Sequence, residues 1–369
     1  MKVLFIVPLP PPITGHSLAA KVLLDELNKY HKVEMVNLSK HSSHRGKPTL
    51  RRTIEVASVI KKVWVKRKEA DVIYLTISES FAGNIKDIFI YLMCFNHLRK
   101  MIIHLHGGSI KQVLFKKYRF LFGINKYFFS RLGGIIVSGP SQLPIFSDFI
   151  QNTKLHVVPN FAEDYLFIDA QNITEKFNKV EPLRILLLSN LIKGKGHQYL
   201  VDAYLSLNDD TRKRVIIDFA GGFESEISKY EFLNEISVIN GIKHHGMVND
   251  QEKKSLLNLA HIFCLPTSLN EGQPISILEA YASGCVVVTT YQGGIRDIFR
   301  DGINGFEIKK KSADSIKNVI EYVIENPEQL LPMAISNREI AYCKYRTHIY
   351  NATLMSIIKG VNSSLRNQE

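Results

Sequence analysis

The chain has 369 residues, 45% of them hydrophobic, which is too many for one core and typical of two α/β domains. Its four cysteines are scattered without a CxxC pair, which argues against a disulfide framework or a cysteine zinc site and for a reducing compartment. The net charge is +12, and residues 1–160 hold 24 of the 47 basic but only 9 of the 35 acidic residues. This imbalance predicts that the first half faces anionic lipid, a phosphate-bearing acceptor or nucleic acid.

The first part of the chain predicts one doubly wound domain, residues 1–160. Apolar runs predict strands at residues 3–7, 33–38, 72–77, 101–105, 134–138 and 155–158. A loop follows the first strand and leads into a predicted helix at 18–27, which is the order of a Rossmann-like unit, but the loop lacks GxGxxG. Gly15 lies in this loop, where a glycine lets a ligand approach the backbone closely. The opening run ends at Pro8, too short for a signal peptide, and residues 88–95 are too few to span a membrane.

The fourth predicted strand leads into His106, Gly107 and Gly108. Sites in α/β proteins gather at the carboxyl ends of strands, so His106 is a candidate site residue. His104 lies two residues earlier, within the strand, and we expect a structural role for it.

The strand pattern restarts after a linker predicted at residues 161–182. Further strands are expected at 184–189, 215–220, 242–245, 262–266, 286–290 and 305–308. They predict a second α/β domain, residues 183–338, followed by a helical segment over 339–369 whose helix is expected at 339–361.

Two carboxylates eight residues apart, Glu271 and Glu279, form the most informative motif of the chain. Pro274 suits the first position of a helix and Gly284 suits its end, which places Glu271 in the loop before the helix and Glu279 inside it. A helix N-terminus attracts phosphate, whereas carboxylates accept hydrogen bonds from sugar hydroxyls. This combination predicts a ligand that is part phosphate and part sugar.

A lysine bracketed by glycines, Lys195, follows the first strand of the second domain. Such a lysine can reach a diphosphate while the glycines let the backbone approach it. The simpler alternatives are a solvated surface lysine here and a solvent-facing helix carboxylate at Glu279.

The string EGQPISILEAYASGCVVVTT, followed by Gly293-Gly294, resembles the E-x7-E signature of retaining GT-B glycosyltransferases, above all glycosyltransferase family 4, the glycosyl transferases group 1. Other matching points lie at Pro159-Asn160 and at residues 188–196, 220–222, 265–268 and 301–305. The resemblance covers essentially all of the second domain and only a few points of the first.

The resemblance implies two Rossmann-like doubly wound domains that face each other across a cleft, with a C-terminal helix crossing back to the first domain. It implies a nucleotide-sugar donor, with a UDP-sugar expected, and chemistry that needs neither a cofactor nor a metal. Glu279 would bind the ribose, Glu271 and His106 the transferred sugar near the reaction centre, and Lys195 the diphosphate. The remaining donor-binding residues it implies are Gly15, Asn190, Gly272, Gln273, Pro274 and Ile275.

Two positions depart from the family pattern. Asn190 stands where the family usually has an arginine, so it can donate a hydrogen bond to phosphate but carries no charge, and Lys193 is a further candidate for that contact. His16 stands where a small residue is usual, and its role is open.

Basic and aromatic residues alternate at residues 111–131 and 61–68. The mixture suits an interfacial helix on anionic lipid, although aromatics in the core and lysines in water would give the same pattern. No RNA-binding motif accompanies these segments, and no nucleic-acid partner is expected.

The sequence therefore predicts a retaining glycosyltransferase at the inner face of the cytoplasmic membrane, acting on a lipid-linked or surface-glycan acceptor such as O-antigen, capsule or exopolysaccharide. Two alternatives are a GT-B-fold sugar-nucleotide epimerase or hydrolase and a non-catalytic protein that binds the membrane surface.

Overall fold

The computed structural model describes residues 1–39 and 50–366. The predicted first domain and C-terminal segment also include residues 40–49 and 367–369, which lie outside the described residues. Contacts divide the chain into two compact units. The first unit holds Met1–Asn160, Asn270–Gln273 and the chain from His348 onward, and the second holds Phe161–Leu269 and Pro274–Thr347.

In its described part, the first unit has a six-stranded parallel sheet in the order β2-β1-β3-β4-β5-β6. Its interior strands are apolar runs because parallel sheets are covered on both faces. The predicted strands are confirmed to within two residues. Their bounds are β1 Lys2–Val7, β2 Lys32–Asn37, β3 Val72–Thr76, β4 Met101–Leu105, β5 Gly134–Val137 and β6 Leu155–Val157.

Helices flank this sheet: α1 Gly15–Tyr30, α2 Leu50–Lys66, α3 Phe81–Met93 and α4 Arg119–Phe129, with a π-helical turn at Lys111–Phe115. Helix α1 begins before the predicted position because Thr14 caps it. The Thr14 hydroxyl accepts from the Ser17 amide at 3.1 Å, and the Ser17 hydroxyl accepts from the Thr14 amide at 2.8 Å. Gly15 is therefore the first residue of the helix and not a loop residue.

The second unit has a parallel sheet in the order β12-β11-β10-β7-β8-β9, again built from strands close to the predicted ones. The strand bounds are β7 Leu183–Leu188, β8 Val215–Ala220, β9 Ile242–His244, β10 Ile262–Leu265, β11 Val286–Thr289 and β12 Gly305–Glu307. Its helices are α5 Ala170–Asn178, α6 His197–Leu205, α7 Asp209–Lys213, α8 Glu226–Ile236, α9 Asp250–Leu259, α10 Ile275–Ala282, α11 Ala313–Glu325 and α12 Leu330–Lys344. Helix α13, Thr347–Arg366, ends the described chain.

Two helix predictions are corrected. The segment 161–182, expected to be an irregular linker, contains α5, which buries Ile173 and Phe177 one turn apart. The helix expected at 339–361 is instead α12 and α13, separated at Tyr345 and Arg346. There the Tyr345 carbonyl accepts from the Ala162 amide at 2.8 Å, so a contact with a distant part of the chain interrupts the helix.

Each unit has an apolar core of its own. In the first unit, apolar residues of β1, β3, β4 and β5 pack with Phe129 and Phe146. In the second, β7, β8, β10 and β11 pack against α6 on one side, and β7, β10 and β11 pack against α10 on the other. In the described part of the chain, no helix has the length and apolarity required to cross a membrane.

Candidate functional site

The strand orders place the candidate residues at specific edges of the sheets. In the first unit the strand order reverses between β1 and β3, and in the second unit it reverses between β7 and β10. Ligands of open α/β sheets bind at the carboxyl ends of strands at such reversals. Gly15 and His106 follow β1 and β4, whereas Asn190 and Lys195 follow β7 and Glu271 follows β10.

Three histidine rings of the first unit stack in a row. His104 and His106 have ring centroids 3.9 Å apart, and His16 lies over His106 at 5.3 Å. The Tyr74 hydroxyl and His104 Nδ1 form a hydrogen bond of 2.5 Å, which fits the structural role expected for His104. His16, whose role the sequence left open, brings the start of α1 and its first residue, Gly15, beside His106.

Burial keeps the two inner rings neutral. Burial lowers the pKa of His104 to about 3, helped by the charge of His16. It lowers the pKa of His106 well below its usual value, with His104 and His16 adding to the effect. Among the described residues, His106 Nδ1 has no hydrogen-bond partner although it is buried. A neutral imidazole has one donor and one acceptor nitrogen, so His106 has a hydrogen-bonding position that the described residues leave unused.

The loop after His106 packs directly on the segment Asn270–Gln273. A Cβ at Gly108 would overlap the Glu271 carbonyl oxygen, and one at Gly272 would overlap the His106 carbonyl oxygen. The Ser109 hydroxyl donates to the Asn270 carbonyl at 3.0 Å. Glycines at 108 and 272 thus allow the backbone carrying Glu271 to lie against the backbone carrying His106.

Glu79, which the sequence analysis missed, organises the same loop. Its Oε1 accepts from the backbone amides of Ser109 at 2.6 Å and Ile110 at 2.8 Å. Burial raises its pKa, the two amides oppose that rise, and Glu271 adds to it. The sequence contained a signal for it, because Glu79 lies in the loop after β3 and β3 pairs with the strand that leads into His106.

Gln273, a predicted donor-binding residue, uses its side chain within the first unit. Its Oε1 accepts from the Asn160 amide at 2.5 Å, and the Asn160 side chain donates to the Gln273 carbonyl at 2.7 Å. This reciprocal pair holds the Asn270–Gln273 segment at the end of the Pro159-Asn160 step. Donor contact by Gln273 stays a prediction.

In the second unit, two glycines determine the conformation of the loop between β7 and α6, which carries Lys195 and is called the Lys195 loop below. Gly194 and Gly196 have φ values of 97° and 88°, which favour glycine. A Cβ at Gly196 would overlap the Pro266 carbonyl oxygen, and the Gly194 carbonyl accepts from the Ser268 amide at 2.7 Å. The loop after β7 therefore lies against the loop after β10. Lys195 precedes the helix by two residues, because α6 begins only at His197.

Helix α10 carries the second glutamate of the motif. Pro274 is the N-cap and Ile275 the first helical residue, one position later than expected, and Gly284 has a φ of 60° just past the helix end, as predicted. The buried Glu279 accepts from the Lys253 ammonium at 2.8 Å. The solvent-facing alternative for Glu279 is therefore wrong. Burial raises its pKa and Lys253 opposes that rise.

The candidate residues thus fall into two groups. The first unit brings together Gly15, His106, Glu271, Gly272 and Gln273, and the second unit contains Asn190, Lys195, Pro274, Ile275 and Glu279. Within residues 1–39 and 50–366, no group of three or more histidine, cysteine or acidic side chains is arranged to hold a metal ion.

Comparison with solved structures defines the class of fold. The structure of HepE from Anabaena in complex with UDP and glucose has a TM-score of 0.73 at 16% identity, covering 98% of this chain and 100% of that one. Sucrose-phosphate synthase from Thermosynechococcus elongatus has a TM-score of 0.77 at 12% identity, covering 99% and 100%. These are GT-B glycosyltransferase structures, so the predicted α/β fold class is confirmed.

One family model and several curated sequences are similar to parts of this chain. Residues 169–339 match the model of Glycosyl transferases group 1, a segment that includes Lys195, Glu271 and Glu279. The lipopolysaccharide 1,2-N-acetylglucosaminetransferase of Salmonella typhimurium is 25% identical over 57% of this chain and 58% of its own length. The amylovoran biosynthesis glycosyltransferase AmsK of Erwinia amylovora is 24% identical over 50% and 48%. The chain thus spans about half the length of these curated relatives.

A further relative aligns over more of the chain. The UDP-Gal:alpha-D-GlcNAc-diphosphoundecaprenol alpha-1,3-galactosyltransferase of Escherichia coli is 21% identical over 76% of this chain and 74% of its own length. The chain therefore has the GT-B fold and is similar, over part of its length, to glycosyltransferases of polysaccharide and lipopolysaccharide biosynthesis.

Proposed function

We propose that this protein is a retaining glycosyltransferase of family 4 that transfers a sugar from a UDP-sugar to a lipid-linked or surface-glycan acceptor. One observation carries the proposal. In the second unit, the Lys195 loop and the loop leading to Glu279 lie side by side where the strand order reverses, within the segment that matches the group 1 model.

The donor is proposed from the chemistry of these residues and from the relatives. Lys195 would attract a diphosphate, and the Glu279 carboxylate would accept hydrogen bonds from a ribose. HepE binds UDP and glucose, and the name of the Escherichia coli relative specifies UDP-Gal. The similarity to these two proteins supports UDP, and not another nucleotide, as the proposed donor nucleotide of this chain.

The proposed chemistry separates the sugar from its diphosphate. Lys195 and nearby backbone amides would stabilise the negative charge that develops on the leaving diphosphate. The sugar would become oxocarbenium-like. His106, which is neutral, would contact its hydroxyls, and so would Glu271. As the bond between the sugar and the diphosphate breaks, the leaving diphosphate oxygen would accept the proton of the acceptor hydroxyl. The acceptor oxygen would then bond to the sugar on the face that the diphosphate leaves.

The acceptor side is proposed from the surface of the first unit. Helix α4 turns Leu121, Asn125 and Phe128 inward, and paired amide hydrogen bonds of 3.0 and 3.1 Å join Asn125 to Asn84 of α3. Its outward residues mix aromatic and basic side chains. The exposed residues on and beside α3 and α4 include Phe89, Leu92, Phe95, Lys116, Lys117, Arg119, Phe120, Phe122, Lys126, Tyr127 and Arg131.

The alternation read in residues 111–131 therefore has two sources. Phe115, Phe128 and Phe129 belong to the core, as the structural alternative expected, and the helix is interrupted between the π-helical turn and α4. The outward aromatics and cations remain, and apolar rings beside cations suit the surface of an anionic bilayer. We therefore propose peripheral binding at the inner face of the cytoplasmic membrane through this surface.

The test is nucleotide release by the purified protein from UDP-, GDP- and ADP-sugars, with and without a membrane lipid extract. Release of UDP that the extract strongly increases, with a new glycolipid formed, would support the proposal. Release that the extract leaves unchanged would identify a hydrolase or epimerase. The absence of both release and nucleotide binding would identify a non-catalytic binding protein.

The matched variant for this assay is Glu279→Ala. We expect it to abolish transfer, because the ribose loses its acceptor, and to remain folded, because Lys253 keeps Glu163 as its ionic partner. Glu307→Ala, an exposed carboxylate of the same unit, should transfer sugar at the wild-type rate. Wild-type transfer by Glu279→Ala would contradict the site assignment.

A further inference from the structure

A partly buried cation lies between two carboxylates of the second unit. Lys253, on α9, places its Nζ 2.8 Å from Glu279 Oε1 and 3.0 Å from Glu163 Oε2. The Lys253 and Glu279 side chains are only 13% and 6% exposed. Three chain segments distant in sequence therefore meet at one ammonium group.

The surroundings of this cluster are mostly acidic. The Tyr165 hydroxyl lies 3.3 Å from Glu163 and 3.2 Å from Asp250, and the Lys253 ammonium lies 5.4 Å from the centre of the Tyr165 ring. The charged groups that act on Glu279 are Lys253, Glu163 and Asp250. Lys253 is the cation among these three groups, so its charge decides whether Glu279 stays ionised.

The ionisation state of Glu279 determines what it can bind. A buried carboxyl group with acidic neighbours tends to become protonated, because burial disfavours its charged form and like charges add to the effect. A carboxylate accepts hydrogen bonds at about four lone-pair positions, whereas a protonated carboxyl group is a donor and a weaker acceptor. Among the described residues, Lys253 is the side chain that hydrogen-bonds to Glu279, and it does so through Oε1. Acceptor positions on the carboxylate remain for a pair of hydroxyl groups.

We propose that Lys253 is a positioning residue that holds Glu279 ionised and oriented to accept hydrogen bonds from the ribose 2′- and 3′-hydroxyls of the donor nucleotide. This inference rests on the proposed function, because it takes a nucleotide to be the ligand of the second unit. Lys253 acts through Glu279 and is not required to touch the nucleotide. Glu163 shares the ammonium and fixes where it lies.

The experiment measures binding of UDP and of 2′,3′-dideoxy-UDP by calorimetry from pH 6 to pH 9. The variants are Lys253→Met, Lys253→Arg and the control Lys254→Met, which removes an exposed lysine one residue along the same helix. Because the terminal phosphate of UDP itself ionises near pH 6, each variant is compared with the wild type at the same pH. The dideoxy nucleotide reports binding that does not involve the diol.

We expect Lys253→Met to bind UDP about tenfold or more weakly at pH 6.5 and to recover most of that affinity by pH 9, where Glu279 ionises without help. Its affinity for dideoxy-UDP should match that of the wild type. Lys253→Arg should restore the wild-type pH profile, and Lys254→Met should never lose it. A merely structural ion pair would not produce a loss that depends on both pH and the diol.

Two results would overturn the inference: wild-type UDP binding by Lys253→Met at every pH, or an equal loss for UDP and dideoxy-UDP. Should Lys253→Met fail to fold, the double variant Lys253→Met/Glu163→Gln removes one charge of each sign and is measured in its place, with the same expectations. A wild-type protein that binds no nucleotide would overturn the proposed function and this inference with it. Wild-type binding with an unaltered Lys253→Met profile would overturn this inference alone.

Discussion

At the scale of single residues, burial sets the charge of the candidate site in the first unit. His104 and His106 are both buried and stacked on each other, and their pKa values are lowered. The unfolded chain binds protons at these positions near pH 6.5, whereas the folded chain does not until much lower pH. The contribution of these neutral rings to the free energy of unfolding is therefore fully present above pH 6.5. It is lost as the pH falls below that value.

We predict that the first unit loses stability between pH 7 and pH 5, with about 1.4 kcal/mol lost per pH unit for each such histidine once the unfolded form is protonated. Trp64, the single tryptophan of the chain, lies in the first unit and reports its unfolding by denaturant. His104→Phe should reduce the slope of the unfolding free energy against pH by the contribution of one histidine, about 1.4 kcal/mol per pH unit. His348→Gln removes an exposed histidine of the same unit and should leave the slope unchanged; an unchanged slope in His104→Phe would contradict the argument.

At the scale of elements, one lysine closes two helix ends in the second unit. The ammonium of Lys176, on α5, donates to the carbonyls of Leu257 at 3.2 Å, Ala260 at 3.0 Å and Ser283 at 2.8 Å. These carbonyls lie at the C-terminal ends of α9 and α10, where a positive charge is favourable. The helices that carry Lys253 and Glu279 therefore end against one cation.

Lys176→Met should destabilise the second unit by about 2–4 kcal/mol, because carbonyls at both helix ends lose a charged donor. Hydrogen exchange measures the effect locally, and the amides of α9 and α10 should exchange faster. The control is Lys179→Met, which changes an exposed lysine at the end of the same helix. Equal protection in both variants would show that Lys176 contributes nothing to these helix ends.

The packing of Gly272 on the His106 loop gives a second prediction at this scale. Gly272→Ala should lower transfer about 100-fold or more, because its Cβ must displace the His106 carbonyl and small misplacements at a reaction centre are costly. Gly123→Ala is the matched control. Within the described residues, no heavy atom lies within 4 Å of its added Cβ, so this helical alanine should stabilise the protein by about 0.5–1 kcal/mol. Wild-type transfer by Gly272→Ala would contradict the close packing.

The elements also show what the sequence could and could not predict. Buried parallel strands are continuous apolar runs, so their positions could be predicted from residues alone, and Gly284 marked the end of α10 correctly. The interruption at Tyr345 depends on Ala162. The cation that pairs with Glu279 comes from α9, and the second carboxylate that pairs with this cation comes from the chain before α5. Such contacts between distant positions leave no local pattern, which is why the sequence indicated Glu279 as a candidate and did not indicate Lys253.

At the scale of the whole molecule, the positive charge is concentrated in residues 1–160, and exposed aromatics accompany it on α3 and α4. Net charge affects association with charged surfaces but does not determine the fold. Binding through this surface should therefore depend on the lipid charge and on salt.

We predict that Lys116→Gln/Lys117→Gln weakens binding to vesicles containing phosphatidylglycerol roughly tenfold or more, since each lysine near an anionic bilayer contributes about 1 kcal/mol. Vesicle co-sedimentation measures this, and raising the salt concentration should reduce the difference. Lys309→Gln/Lys310→Gln removes two exposed lysines of the second unit and should bind as the wild type does. Unchanged binding by the first pair would discard the membrane proposal.

The way the chain passes between its two compact units limits how such proteins can be recombined. The first unit is completed by Asn270–Gln273 and by the helix from His348 onward, and Gly108 and Gly272 leave no room for a bulkier backbone neighbour at the first of these segments. A chimaera that exchanged only residues 1–160 would keep both segments from the original parent. The first unit is therefore a discontinuous module, and a working exchange must carry all three pieces together.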